Sequence, residues 1–213
     1  MSREDLLQRI RAAVLPVGAQ ERPLAVPGGL PVLPRPQMFA DPVGLFAERA
    51  RAVGATVDLV SSMREAVEQA AAWCGALAMR RAAMWNTPEL ASIRDRLRAD
   101  GIEIIPTGAG VDAVAGVDAG VTGAEWGIAE TGTLVLACGP DQPRLTSLLP
   151  PAHLALLRAD RILPDLPALF AQSGPLPSAL TFITGPSRSG DIGLVPVFGA
   201  HGPMAVAILV LTG

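Results

Sequence analysis

Thr87-Pro88-Glu89-Leu90-Ala91-Ser92-Ile93-Arg94-Asp95-Arg96-Leu97-Arg98-Ala99-Asp100-Gly101-Ile102-Glu103-Ile104-Ile105 reads as a helix with both ends marked, followed at once by a buried strand. Thr87 offers a capping hydroxyl, and Pro88 takes the first helical position, where no N–H is needed. Glu89 sets a carboxylate in the first turn. Gly101 stops the helix after Ala99, and Ile102–Ile105 supplies the strand. Upstream the pattern repeats. Asp41 caps a helix through Arg51 that closes at Gly54, and the β-branched stretch Thr56–Val60 follows as a strand. Ser61 or Ser62 then caps a helix reaching Trp73 or Cys74, with Ala76–Trp85 as the next strand. Strands that alternate with helices call for an α/β domain with a largely parallel sheet, because parallel neighbours need a crossover between them.

After Pro106 charges thin out, glycines multiply, and turns replace helices between short apolar runs. Val117–Val121, Gly127–Ala129, Leu134–Ala137, Leu154–Leu157, Leu180–Thr184 and Ala205–Leu211 are the expected strands, and Asp165–Gln172 is one short helix. At the other end, Ser2–Leu15 spaces Leu6, Leu7, Ile10, Val14 and Leu15 as one face of an amphipathic helix. The stretch from Pro16 to Pro42 is dense in proline and glycine, which forbids regular structure over most of its length. The expected organisation is an N-terminal helix and Pro/Gly-rich arm over residues 1–40 and an α/β domain over residues 41–213. The arm is a candidate contact with another copy of the protein.

Composition removes several classes of function. Net charge is −3 and aromatic residues make up 4% of the chain, so neither a basic groove nor a stacking platform for nucleic acid is available. Every positive side chain is arginine, which rules out a Schiff-base lysine and a Walker lysine. Cys74, Cys138, His153 and His201 are scattered without metal-ligand spacing, and both cysteines read as buried thiols. No run approaches the length of a membrane span, and Met1–Leu15 lacks the apolar core of a secretion signal; the expected location is the cytoplasm.

Two polar clusters interrupt the apolar second half. In the first, Glu130-Thr131-Gly132-Thr133 stands at the mouth of the uncharged run Leu134–Ala137. Hydroxyls and exposed backbone N–H groups there suit either the Glu130 carboxylate or a bound anion. The alternative is a tight turn whose Glu130 pairs with an arginine elsewhere. The second cluster, Gly185-Pro186-Ser187-Arg188-Ser189-Gly190-Asp191, joins two hydroxyls and a guanidinium on flexible backbone, as an anion cradle or as a turn in which Arg188 pairs with Asp191. His201, in Gly199-Ala200-His201-Gly202-Pro203, is the leading acid–base candidate by residue type, or else a capping or hydrogen-bonding residue of the turn.

Ala129-Glu130-Thr131-Gly132-Thr133-Leu134, Arg144 with Ser147-Leu148-Leu149-Pro150 and His153, Gly185-Pro186-Ser187-Arg188 with Asp191-Ile192, and His201-Gly202-Pro203 occur in this order. Together they resemble the LUD-domain family of the lactate-utilisation protein C type. The resemblance covers roughly the C-terminal half. It implies a three-layer α/β sandwich like that of the glucosamine-phosphate isomerase, ribose-phosphate isomerase and CoA-transferase group. It also implies a place in a bacterial system that oxidises L-lactate to pyruvate beside iron–sulfur partner proteins, with no cofactor held by this chain. Glu130 and His201 become the candidate catalytic residues, and Thr131, Gly132, Thr133, Arg144, Ser187, Arg188, Asp191 and Gly202 the candidate ligand-binding set. One departure is Gly193, which stands where such proteins carry an acid after Asp191-Ile192. A free-standing enzyme acting on a sugar phosphate or acyl thioester, with Glu130 as nucleophile or base, is the alternative reading.

Overall fold

A computed structural model describes residues 5, 8, 39–171, 177, 179–189, 197–199 and 201–213. The chain divides into two compact units, Met1–Pro34 and Arg35–Gly213. In the first, Asp5 and Gln8 are helical. The rest of the expected Ser2–Leu15 helix and the arm as far as residue 38 lie outside the described residues.

The second unit is built on a six-stranded sheet. In chain order its elements begin with α1 (Pro42–Ala52), β1 (Thr56–Val60), α2 (Met63–Ala76), β2 (Arg81–Met84), α3 (Ala91–Ala99), β3 (Glu103–Ile105), α4 (Val111–Ala115) and β4 (Ala119–Ala124). After β4 come β5 (Trp126–Ile128), β6 (Thr133–Ala137), α5 (Leu145–Leu148), β7 (Ala152–Arg158), β8 (Ile162–Leu163), α6 (Leu166–Phe170) and β9 (Leu180–Ile183). The last elements are β10 (Arg188–Ser189), β11 (Val197–Phe198) and β12 (Ala205–Leu211). The large sheet has the order β1-β12-β7-β4-β2-β3 and every pairing in it is parallel. A second sheet, β8-β5-β6-β9, is mixed, and β10 pairs with β11.

An all-parallel sheet must be covered on both faces, and β2 shows how this is done. Ala82 and Met84 join the main core cluster with Ala66, Ala70 and Cys74 of α2 and Ile93 and Leu97 of α3. Ala83, between them, faces the other way and packs with Ile105, Val114 and Val117 beside α4. That second face also carries α5, which lies over Gly120, and α1, whose Phe46 meets Leu157 and Gly127. The result is three layers: α2 and α3, then the parallel sheet, then α1, α4, α5 and the smaller sheet.

Local signals set most element ends. Asp41 caps α1 by accepting from the Gly44 N–H at 2.8 Å, and Ser62 caps α2 by accepting from the Glu65 N–H at 3.3 Å. Glu65 returns the favour, accepting from the Ser61 N–H and hydroxyl at 2.7 and 2.8 Å, and the Ser61 N–H draws its pKa below the usual carboxylate value. Strands β1 and β12 have the limits read from the sequence.

Three expectations need correction. The strand expected over Ala76–Trp85 is confined to Arg81–Met84, because α2 continues to Ala76 and the chain then turns through Ala78 at φ +48°. Thr87 makes no capping bond, and Pro88–Leu90 is a 3-10 turn ahead of α3. The turns expected after Pro106 include two short helices, α4 and α5. Thr146 and Ser147 of α5 are polar yet buried, since α5 is held down by its position over Gly120 and has no apolar stripe of its own.

Close approach at glycine sets these layers together. A Cβ on Gly120 would strike the Thr146 carbonyl oxygen, whereas one on Gly75, within α2, would meet nothing within 4 Å. Gly120→Ala is therefore expected to destabilise the protein by about 3 kcal/mol through overpacking, and Gly75→Ala to stabilise it by about 0.5–1 kcal/mol through helix propensity. Urea unfolding of the two variants beside the parent checks both signs.

Candidate functional site

The first polar cluster is the loop of the β5–β6 hairpin. Its Gly132 N–H donates to the Ile128 carbonyl at 2.9 Å, and Gly132 has φ +65° with its Cα against the backbone of Arg49 and Ala50 in α1. Only glycine fits there. Glu130 is exposed, and its N–H donates to the Pro164 carbonyl at 3.0 Å. The hydroxyls of Thr131, Thr133 and Thr184 form a chain at 2.7 and 2.8 Å, so they bind one another and not the carboxylate.

The Thr133–Thr184 bond brings in the second cluster, which begins one residue later. Gly185, at φ +77°, packs on Val53, and the Arg188 guanidinium lies against Gly54 at the turn leading into β1. Ser187 is tied to the third motif: its N–H donates to the Pro203 carbonyl at 2.8 Å, and its hydroxyl accepts from the His201 N–H at 3.3 Å. Gly202 touches Ser187, with the Ser187 Cβ 3.5 Å from where a Gly202 Cβ would stand. The structure thus gathers Thr131, Gly132, Thr133, Ser187, Arg188, His201 and Gly202 along the C-terminal half of α1 and the N-terminal edge of the sheet. Arg144 stands apart, leading into α5, where Pro143 accepts from the Trp85 indole N–H at 3.1 Å. Asp191 lies outside the described residues.

His153 is also apart, fully buried on the central strand β7 beneath α5. Its Nε2 pairs with the Thr122 hydroxyl at 2.8 Å, while Nδ1 has no partner among the described residues. Burial lowers its pKa to about 4, so the ring is neutral at neutral pH. Cys74 is likewise buried, its thiol pushed up to about 11, and is chemically quiet. Cys138, expected to be buried, is only half-buried beside Thr181.

The opposite, C-terminal edge of the sheet holds a cleft of about 480 Å³ that composition and motif reading did not single out. Its polar walls are Glu89 after β2, Glu125 after β4, Arg158 at the end of β7, and Asp160 and Arg161 after it. Arg158 grips Asp160 with bonds of 3.0 and 2.8 Å, and this holds the Asp160 carboxyl below its usual range. Arg161 faces Glu125 at 3.6 Å. The available signal was positional: residues that directly follow the last apolar residue of parallel strands border the ligand crevice of α/β sheets. Among the described residues, no group of three or more His, Cys, Asp or Glu is placed to hold a metal ion, and no helix is long and apolar enough to cross a membrane.

A parallel sheet covered on both faces, with an open crevice at its C-terminal edge, defines a layered α/β protein. Its second half is similar to LUD-domain proteins: residues 111–211, from α4 to the end of β12, match the LUD domain family. Two relatives named Lactate utilization protein C are similar to it, one from Anoxybacillus flavithermus at 36% identity over 104 residues and one from Halalkalibacterium halodurans at 39% over 101 residues. These alignments cover 48% and 44% of this chain and 47% and 44% of the relatives. An uncharacterized protein of Neisseria meningitidis is 38% identical over 100 residues, 45% of this chain and 42% of that protein. The matched stretch therefore spans less than half the length of these curated relatives. Among solved structures, a DUF162 family protein from Deinococcus radiodurans superposes with a TM-score of 0.57 at 25% identity, over 83% of this chain and 99% of that one.

The buried imidazole gives the domain an acid-sensitive core. His153 has a folded pKa of about 4, below the ordinary 6.5, so the unfolded chain binds the extra proton between those values. Stability is expected to be level above pH 6.5 and to fall by about 3 kcal/mol as the pH drops to 4. Urea unfolding at pH 7, 5.5 and 4 measures this, and His153→Leu should flatten that segment of the profile.

Proposed function

We propose that this chain is a component of an L-lactate utilisation system, in which iron–sulfur partner proteins carry the electrons as lactate becomes pyruvate. The observation that carries this reading is the similarity to proteins named Lactate utilization protein C, at 36% and 39% identity over 104 and 101 residues. In this reading the chain binds a small carboxylate or its partners and supplies no redox centre.

The motif cluster at the N-terminal edge is the natural contact. Arg188 carries the positive charge for a carboxylate, and Ser187, Gly202 and the Thr131–Thr133 loop shape its surroundings. Arg144 and Asp191 complete the proposed binding set, with Glu130 and His201 as the acid–base groups. Gly54 suits this role, since a Cβ there would collide with the Arg188 guanidinium. A second copy of the chain is a further proposed partner.

Deleting the gene in its host is expected to abolish growth on L-lactate as sole carbon source and to leave growth on pyruvate unchanged. Reintroducing the parent chain should restore growth, and the Arg188→Ala chain should not. A deletion strain that grows normally on L-lactate overturns the proposal. Affinity purification from lactate-grown cells should recover cysteine-rich iron–sulfur proteins.

A further inference from the structure

The C-terminal edge of the sheet carries a second cleft, at the ends of β2 and β3. These neighbours pair in parallel, yet the chains leaving them part. After β2 the chain enters α3 on the face of Ala82 and Met84, and after β3 it enters α4 on the face of Ala83. Adjacent parallel strands whose connections go to opposite faces leave an opening between them, which is where open α/β sheets take their ligands. The Asn86 N–H donates to the Asp141 carbonyl at 3.3 Å, which brings the loop after β6 to the same opening. The cleft so formed measures about 450 Å³, within the roughly 300–1,000 Å³ typical of small-molecule sites.

Its charge is the reverse of that of the first cleft, where Glu89, Glu125 and Asp160 outnumber two arginines that are both ion-paired. Here Arg94 and Arg98 face one carboxylate, that of Asp141, among the described residues. The two arginines are four residues apart on α3, so they project from the same side of the helix one turn apart. Arg94 is half-buried, and its Nη2 is anchored by the carbonyls of Trp85 and Thr87 at 3.1 and 3.3 Å. Its Nε and Nη1 have no partner among the described residues. Arg98 makes no hydrogen bond or ion pair among the described residues. Two guanidiniums that no carboxylate neutralises therefore line one cleft, and the backbone holds the half-buried one in place before any ligand arrives.

A planar carboxylate is satisfied by a single guanidinium. Two guanidiniums a helical turn apart suit an anion with three acceptor oxygens and more than one charge, which a phosphate monoester carries at neutral pH. We infer that this cleft binds a phosphate monoester. Its phosphate bridges Arg94 and Arg98, its carbon chain rests on Ile104 and Pro106, and a hydroxyl of that chain donates to Asp141. The Asp141 carboxylate repels a second anionic group, so the charge of the ligand is confined to one end. Charge and shape of the cleft select this ligand class, and no relative's name enters the choice. The site is separate from the motif cluster at the N-terminal edge and does not depend on the lactate-utilisation reading.

Isothermal titration calorimetry of the full chain with glycerol 3-phosphate, inorganic phosphate and glycerol tests this. Glycerol 3-phosphate should bind, inorganic phosphate should bind a few-fold more weakly, and glycerol should not bind. Arg98→Ala removes an exposed side chain that has no partner, so the variant should keep the thermal melt of the parent while binding both phosphate compounds at least about tenfold more weakly. Asp141→Ala should bring the ester and inorganic phosphate to the same affinity. Arg96→Ala, on the same helix but paired with Asp100, should change neither affinity. L-lactate, whose proposed contact is Arg188, should leave the affinity for glycerol 3-phosphate unchanged. Failure of both phosphate compounds to bind, an ester that binds no tighter than inorganic phosphate, displacement by L-lactate, or binding that survives Arg98→Ala overturns the inference.

Discussion

Backbone pairing of β12 with β1 on one side and β7 on the other joins the beginning of the domain to its end. Among the described residues strand β1 has no other sheet neighbour, so α1, β1 and the start of α2 depend on the last strand for their place in the sheet. Six of the seven residues of β12 are buried, which suits a strand enclosed by neighbours and by layers on both faces. Formation of the sheet is therefore a long-range event, with the entropy of closing a loop of some 150 residues offset by burial at its centre.

The two edges of the sheet have different characters because of this topology. At the N-terminal edge, glycines at 132 and 185 let loops press on α1 and the turn after it, and a chain of threonine hydroxyls links the hairpin to the segment after β9. Much of the motif there is consumed in holding the fold together. At the C-terminal edge β7 ends in Arg158, Glu125 follows β4, and the loops diverge, so polar groups line a cleft there.

Legibility in the sequence followed the range of the interaction. The Asp41 and Ser62 caps act over three residues, and both helix starts could be read directly. Strand β12 was legible from its unbroken apolar run. The two short helices were not, because Val111–Ala115 and Leu145–Leu148 carry too few residues for a period, and the burial of Thr146 and Ser147 is imposed by Gly120 on a strand 26 residues earlier. The candidate site divided in the same way. Ser187 and His201 were each visible as isolated motifs, while the bond between them required Pro203 and β12 to bring the segments together.

By itself the sequence determined the α/β class, the Asp41 and Ser62 caps, the buried central strands, the exclusion of lysine chemistry, and the resemblance to the LUD domain. These are properties of local spacing and composition. Tertiary structure alone decided that β12 lies between β1 and β7, that a second sheet and three helices share one face, and that Glu130 meets solvent. It also placed Glu89, Glu125 and Arg161 in one crevice, although they come from loops far apart in the chain. The physical reason is that parallel strands take their neighbours through crossovers, so which loops share an edge is set by strand order, and strand order is settled by the packing of the whole domain.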